Sequence, residues 1–160
     1  MGIINLARVD DRLIHGQVMT KWTKGFGTNS VYVVDNATAA DDFMKDIYVS
    51  TNSTGGLSIK VYSATEVAEE WKKNQFGDDK VVIVFKYIKE VQEALDAGLE
   101  LKSLNIGGVS KKPNTEFVIP TVAIGDEERA LLKAIHDSGI DVFFQTVPDS
   151  RKVEYNSAIK

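Results

Sequence analysis

The sequence predicts an α/β fold: an open, doubly wound, mostly parallel central sheet of about seven strands with helices on both faces. Three observations carry this. Short apolar runs alternate with amphipathic runs along the whole chain. The apolar runs are rich in Val, Ile, Phe and Tyr and nearly continuous, as strands covered on both faces are. Single strands alternating with single helices imply right-handed βαβ crossovers.

The strand candidates are Ile3–Val9, Ser30–Val34, Ser58–Tyr62, Lys80–Phe85, Ser103–Ile106, Val118–Ala123 and Asp141–Thr146. The clearest is KVVIVFK, an unbroken apolar run after Lys80. The helix candidates between them are Gly16–Lys24, Ala39–Val49, Ala64–Asn74, Ile88–Ala97 and Asp126–Ser138. In the third, Val67 and Trp71 share a face while Glu66, Glu69, Glu70, Lys72 and Lys73 fill the solvated side. Ser63 followed by Glu66 forms a capping box. In the fourth, Ile88, Val91 and Leu95 make the apolar stripe, and Gly98 is the stop. The fifth opens on Asp126, Glu127 and Glu128, carries His136 in its last turn and stops at Gly139. Each of those signs suits the helix dipole. Thr51–Gly56 (TNSTGG) is a loop by composition, and the tail after Pro148 is polar: a short strand, a docking arm or disordered.

A chain of 160 residues is expected to form one domain, 1–160, with room for a real core. A hydrophobic fraction of 43% and a charged fraction of 26% are ordinary for a globular protein. The net charge of -4 argues against a general nucleic-acid surface, which needs a concentrated positive field. The chain has no cysteine, so disulfides, thiolate metal sites and a cysteine nucleophile are excluded. No signal peptide is evident, and no stretch approaches the roughly 20 apolar residues of a membrane span. A cytoplasmic protein is expected, with any membrane role exercised through a partner and no insertion of its own.

Function is most legible in Ile3–Val18. After the first strand come Asp10 and Asp11, then Arg12, His15 and Gly16, with Arg8 just upstream. His15, one of two histidines, therefore falls where the first strand hands over to a first helix. A neutral imidazole can accept a phosphoryl group, and guanidinium groups and helix N-terminal amides can hold the dianion. Two other strand ends face the same edge, Phe85-Lys86-Tyr87 and Leu104-Asn105-Ile106-Gly107-Gly108. Plainer readings stand beside these. Arg8 on a sheet face can simply be solvated, because strand neighbours alternate sides. Asp11 suits a turn or cap. Gly107-Gly108 alone indicates a turn, though paired glycines also let backbone approach a neighbour. Lys86 can be a solvated strand end, His136 a helix C-terminal residue, and Trp22 and Trp71 core. Neither G-x-x-x-x-G-K-[ST] nor a G-x-G-x-x-G opening the first helix occurs, and two histidines without metal-ligand spacing argue against zinc.

RVDDRLIHGQV resembles the active-site segment of the IIB component of the mannose/fructose/sorbose class of the bacterial sugar phosphotransferase system. The resemblance extends over the chain, through Trp22, VVDNATAADDFMKDI, LNIGG, the DEE helix start and VFFQTVP. It implies a phosphoryl carrier. A phosphohistidine on a IIA component donates to His15, which then donates to a sugar bound in a membrane IIC/IID permease. By position, His15 is the phosphorylated residue, Arg12 the arginine near the phosphoryl group and Asp10 its accompanying carboxylate; Arg8 also matches. No cofactor and no metal are implied. Two other classes are weighed. A receiver-type signalling domain would need an acid at the end of the third strand, where Tyr62-Ser63-Ala64-Thr65 has none. A lyase or isomerase would use His15 as general acid–base with an arginine phosphate clamp.

Overall fold

The computed structural model describes residues 2–13, 27–50 and 57–159. The calls on His15, Trp22, the helix Gly16–Lys24 and the loop Thr51–Gly56 lie outside the described residues.

In chain order the elements are β1 (Ile3–Asp10), β2 (Ser30–Val34), α1 (Asn36–Ala39), α2 (Asp42–Ser50), β3 (Ser58–Tyr62), α3 (Ala64–Asn74), β4 (Lys80–Phe85), α4 (Ile88–Asp96), β5 (Ser103–Gly108), β6 (Glu116–Ile119), β7 (Val122–Ile124), α5 (Asp126–Asp137), β8 (Asp141–Phe144), β9 (Val153–Glu154) and α6 (Tyr155–Ala158). The central sheet has seven strands in the order β3-β2-β4-β1-β5-β8-β9. Every pairing is parallel except β8 with β9, which is antiparallel. β1 is therefore central, flanked by β4 and β5, and its carboxyl end lies between theirs.

The near-continuous apolar strands are explained by two buried faces. On one, Val9, Ile83, Phe85, Ile106 and Val142 pack against Val67 and Trp71 of α3, Val91 of α4 and Leu132 and Ile135 of α5. On the other, Val31, Val33, Ile59, Val61, Val82 and Val84 pack with Leu13 and the part-buried Tyr48 of α2. Helix ends follow the sequence signals. Ser63 Oγ accepts from the Glu66 amide at 3.1 Å while Glu66 returns a bond to the Ser63 amide at 2.8 Å. Gly98 and Gly139 take positive φ (119° and 102°) just past the ends of α4 and α5, where a Cβ would be strained.

Three expectations are corrected. Val118–Ala123 is not one strand of the central sheet. It is split by Pro120 and Thr121 into the antiparallel pair β6 and β7, a separate two-stranded sheet. Proline has no N–H to give a ladder, so the chain turns there. The hairpin docks on the end of β5, where Val109 N–H donates to Thr121 O and Ala123 N–H to Val109 O. The helix expected over Ala39–Val49 is two helices. Asp35 caps α1 by accepting from the Thr38 amide at 3.1 Å, and Asp41 accepts from the Met44 amide at 3.1 Å at the start of α2. The seventh central strand comes from the polar tail, whose β9 covers the β8 edge.

Candidate functional site

β1 carries its charge inward at its carboxyl end. Arg8 and Asp10, alternate residues on one face, are 0% and 1% exposed, which excludes the solvated reading of Arg8. Burying a guanidinium is tolerable only when its donors are met. Arg8 Nη1 donates to Asn105 Oδ1 at 2.6 Å and to Gln145 O at 3.1 Å, and Nη2 donates to Asp10 Oδ2 at 3.2 Å. Burial lowers the Arg8 pKa, and the adjacent Asp10 pulls it back up. Asn105 Nδ2 also donates to Gln145 O, at 3.1 Å, so the two amide residues form the floor on which the guanidinium lies.

Room for this comes from the paired glycines, which are not a turn but the last two residues of β5. A Cβ on Gly107 would lie 2.0 Å from Arg8 Cζ, and one on Gly108 would lie 2.5 Å from Asp10 Oδ1. The β1–β5 register slips between Val9 and Asp10, so that Asp10 pairs with Gly108. Without that bulge successive glycines would face opposite sides; with it both open toward the charged face. Thr121 Oγ1 donates to Gly107 O at 2.8 Å, tying β5 here to the hairpin.

Past Asp10 the chain turns. Leu13 N–H donates to Asp10 O at 2.9 Å, and Asp11 N–H donates to Gly108 O at 3.0 Å. Leu13 sits at φ 58°, a left-handed conformation costing a leucine on the order of 1–3 kcal/mol. Its side chain is 3% exposed in the second apolar cluster, and that burial holds it there. The turn folds Arg12 back onto Asp10: the Arg12 amide and Nε donate to Oδ1 at 3.0 and 3.1 Å, and Nη2 donates to Oδ2 at 3.2 Å. Asp10 is thus a buried carboxylate gripped by two arginines. Arg12 remains 47% exposed, its fork clamped on one edge and the Nη1 side turned away from Asp10. Asp11 has the turn role expected of it, accepting from the Ser110 amide at 2.7 Å.

The structure therefore brings Arg8, Asp10 and Arg12 together and adds Asn105 and Gln145. The signal for both was a polar amide inside an apolar run, in LNI and VFFQ. Lys86 follows β4 and lines, with Asp11, a cleft of about 310 Å³ at the same end of the sheet. Gly107 is buried beneath Arg8 and belongs to the support rather than the rim. Trp71 is core, as expected. His136, at the C-terminal end of α5, stacks on Tyr155 at 4.0 Å. In a βαβ unit that end lies at the amino edge of the strands, away from Arg12. Among the described residues there is no cluster of potential metal ligands, and no helix is long and apolar enough to cross a membrane. The end of β3 carries Ser63 as a helix cap, not the acid a receiver domain needs.

An exposed arginine fork held by a buried carboxylate, at the carboxyl edge of a parallel sheet, is a frame for handling an anionic group. Residues 4–160 match the family of PTS system sorbose subfamily IIB components, and the chain belongs to that family, whose members are components of a sugar phosphotransferase. It is 29% identical to the N-acetylgalactosamine-specific phosphotransferase enzyme IIB component 1 of Escherichia coli, over 93% of this chain and 94% of that one. It is 26% identical to the mannose-specific EIIAB component of the same organism, over 95% of this chain and 47% of that longer protein. The crystal structure of manxB from Thermoanaerobacter tengcongensis superposes with a TM-score of 0.90 at 37% identity, covering 99% of this chain and 96% of that one.

Proposed function

We propose that this IIB component takes a phosphoryl group from a phosphohistidine of a IIA protein onto His15 and passes it to a sugar held in a membrane IIC/IID permease, working from the cytoplasmic side. The observation that carries the reading is Asp10, 1% exposed between Arg8 and Arg12, with the fork of Arg12 reaching the surface three residues before His15. Phosphoryl transfer asks a protein for in-line positioning and charge stabilisation rather than covalent chemistry. The imidazole must be neutral to attack through a ring nitrogen. Two arginines alone would make a field that holds a phosphoryl dianion too firmly to release it. Asp10 cancels one of those charges and fixes the fork, leaving one net positive charge at the surface. In the first step the donor's P–N bond breaks as a P–N bond to His15 forms. In the second that bond breaks as the sugar hydroxyl oxygen attacks phosphorus and gives up its proton. No step calls on a metal.

The test is reconstitution with the general phosphocarrier enzymes and a IIA partner. Label should pass to this chain on a single histidine, acid-labile and base-stable as a P–N bond is. Base-labile label would point instead to an acyl phosphate.

Arg12 is the residue whose chemistry is most sharply specified. Lysine can pair with Asp10 or reach the phosphoryl oxygens, but one ammonium cannot do both in the planar geometry of a guanidinium. Arg12→Lys should fold normally and transfer more slowly by about 1–3 kcal/mol of barrier, the worth of a charge-assisted hydrogen bond. Stopped-flow transfer rates unchanged in both directions would remove Arg12 from the site.

A further inference from the structure

Two carboxyl groups that the transfer chemistry does not use are buried in the wall of the cleft beside the Asp10–Leu13 turn. Asp35, at the end of β2, is 2% exposed and Glu90, in the first turn of α4, is 4% exposed. They hydrogen-bond to each other, which requires one proton between them. Asp35 Oδ2 is already filled by donors, the Thr38 amide at 3.1 Å and the Thr38 hydroxyl at 2.5 Å, and Lys86 lies near enough to favour its charge. Asp35 is therefore the ionised partner, held below the ordinary carboxylate range despite burial that works against it, and Glu90 carries the proton.

That proton closes a ring of contacts. Glu90 Oε2 accepts from the Asn36 amide at 2.7 Å, and Oε1 accepts from the Tyr87 amide at 3.2 Å. Asn36 Oδ1 in turn accepts from the Ala64 amide at 2.9 Å. One protonated side chain thus joins the carboxyl ends of β2, β3 and β4, all beside the cleft that Asp11 and Lys86 also line.

We propose that Glu90 is a proton-operated latch: protonated, it holds the turns after β2 and β4 together as one wall of the cleft; ionised, it repels Asp35 and lets that wall part next to the Asp10–Leu13 turn. Resting on the carrier reading, this makes the fit of a IIA protein to that surface depend on pH. Burial pushes Glu90 up to about 8, with Asp35 adding to the rise, so the latch would work in the neutral to mildly alkaline range. The other charges lining the cleft divide. Asp11, Glu93, Glu127 and Glu128 favour the proton, and Lys86, Lys89 and Lys112 favour its loss.

The experiment is an NMR titration of the isotope-labelled chain from about pH 6 to 10, following the Glu90 carboxyl carbon and the exchange protection of the Asn36 and Tyr87 amides. The Glu90 carbon should titrate near the value above. The protection of both amides, corrected for intrinsic exchange, should fall tenfold or more over the same step, while that of Ile83 in the sheet centre stays constant. A Glu90 midpoint in the ordinary carboxylate range, or protection indifferent to the step, would overturn the latch. Asp35→Asn keeps a cap for Thr38 and removes the like charge. It should lower the Glu90 midpoint by more than one pH unit and abolish the coupled loss of protection; an unmoved midpoint would overturn the role of the pair. Affinity for unphosphorylated IIA should weaken several-fold from about pH 7 to 9 in the natural chain and hold level in Asp35→Asn. Parallel weakening in both would detach the latch from docking. Absence of binding at either pH would strike the carrier reading, with the amide data still deciding the latch.

Discussion

Replacing Arg8 with leucine should destabilise the fold by about 3–5 kcal/mol, the cost of breaking a buried ion pair from one side. The side chain is fully buried and supplies donors to three acceptors, Asn105 Oδ1, Gln145 O and Asp10 Oδ2. Each acceptor stranded away from water costs on the order of 1–3 kcal/mol. Arg12 still grips Asp10 in this variant, which keeps the loss from growing further. Denaturant unfolding should show a lower midpoint at an unchanged slope. Arg8→Lys should fall between, because a single ammonium cannot span the three acceptors. Arg8→Leu combined with Asp10→Leu should regain much of the stability, since two apolar side chains replace a pair without orphaning a charge. The double variant should nonetheless transfer poorly, because Arg12 has lost the carboxylate that aims it. A loss below about 1 kcal/mol in Arg8→Leu would show that the buried network contributes little to stability.

The strands were legible where burial on both faces left the sequence little choice. Ser30–Val34, Ser58–Tyr62 and Lys80–Phe85 have the bounds that their apolar runs suggest. Misreadings arose where short polar side chains, not apolar periodicity, set the backbone. In DNATAADD two aspartates each cap their own helix, so one amphipathic stretch becomes two elements. In EFVIPTVAI the apolar content signalled a strand, but Pro120 decided the topology. β9 is two residues of a polar tail, paired only because the β8 edge is there to receive it. Such pairing has no local signature.

The site divides in the same way. Arg8, Asp10 and Arg12 are visible as charges crowded at a strand end. Their division of labour is not, because it depends on the bulge opposite Gly107 and on the turn that folds Arg12 back. Asn105 and Gln145 lie about 100 and 140 residues from Arg8 in sequence, and only the parallel register brings them beneath it. Glu90 looked like an ordinary acid in a first helical turn; its proton exists because Asp35 arrives from another strand.

His15→Ala should abolish uptake of label from phosphorylated IIA, while His136→Ala should take up label as the natural chain does. The two histidines differ in what surrounds them. Upstream of His15 stands a charged frame whose only evident use is to hold an anion: a buried carboxylate, a buried arginine beneath it and an exposed arginine clamped above. His136 lies in the last turn of α5, 3.6 Å from Asp137 through Nδ1 and stacked on Tyr155. There its charged form suits the helix C-terminus, and no arginine is among its contacts. The expected effect on transfer is total for the first variant, because no other group can form the P–N bond, and nil for the second. His15→Ala alters no residue of the Arg8–Asp10–Arg12 network, so its unfolding midpoint should stay close to that of the natural chain. That separates lost chemistry from a lost fold. Label retained by the His15 variant would falsify the assignment. Label lost from His136→Ala at unchanged stability would move the phosphorylated residue to the opposite edge of the sheet.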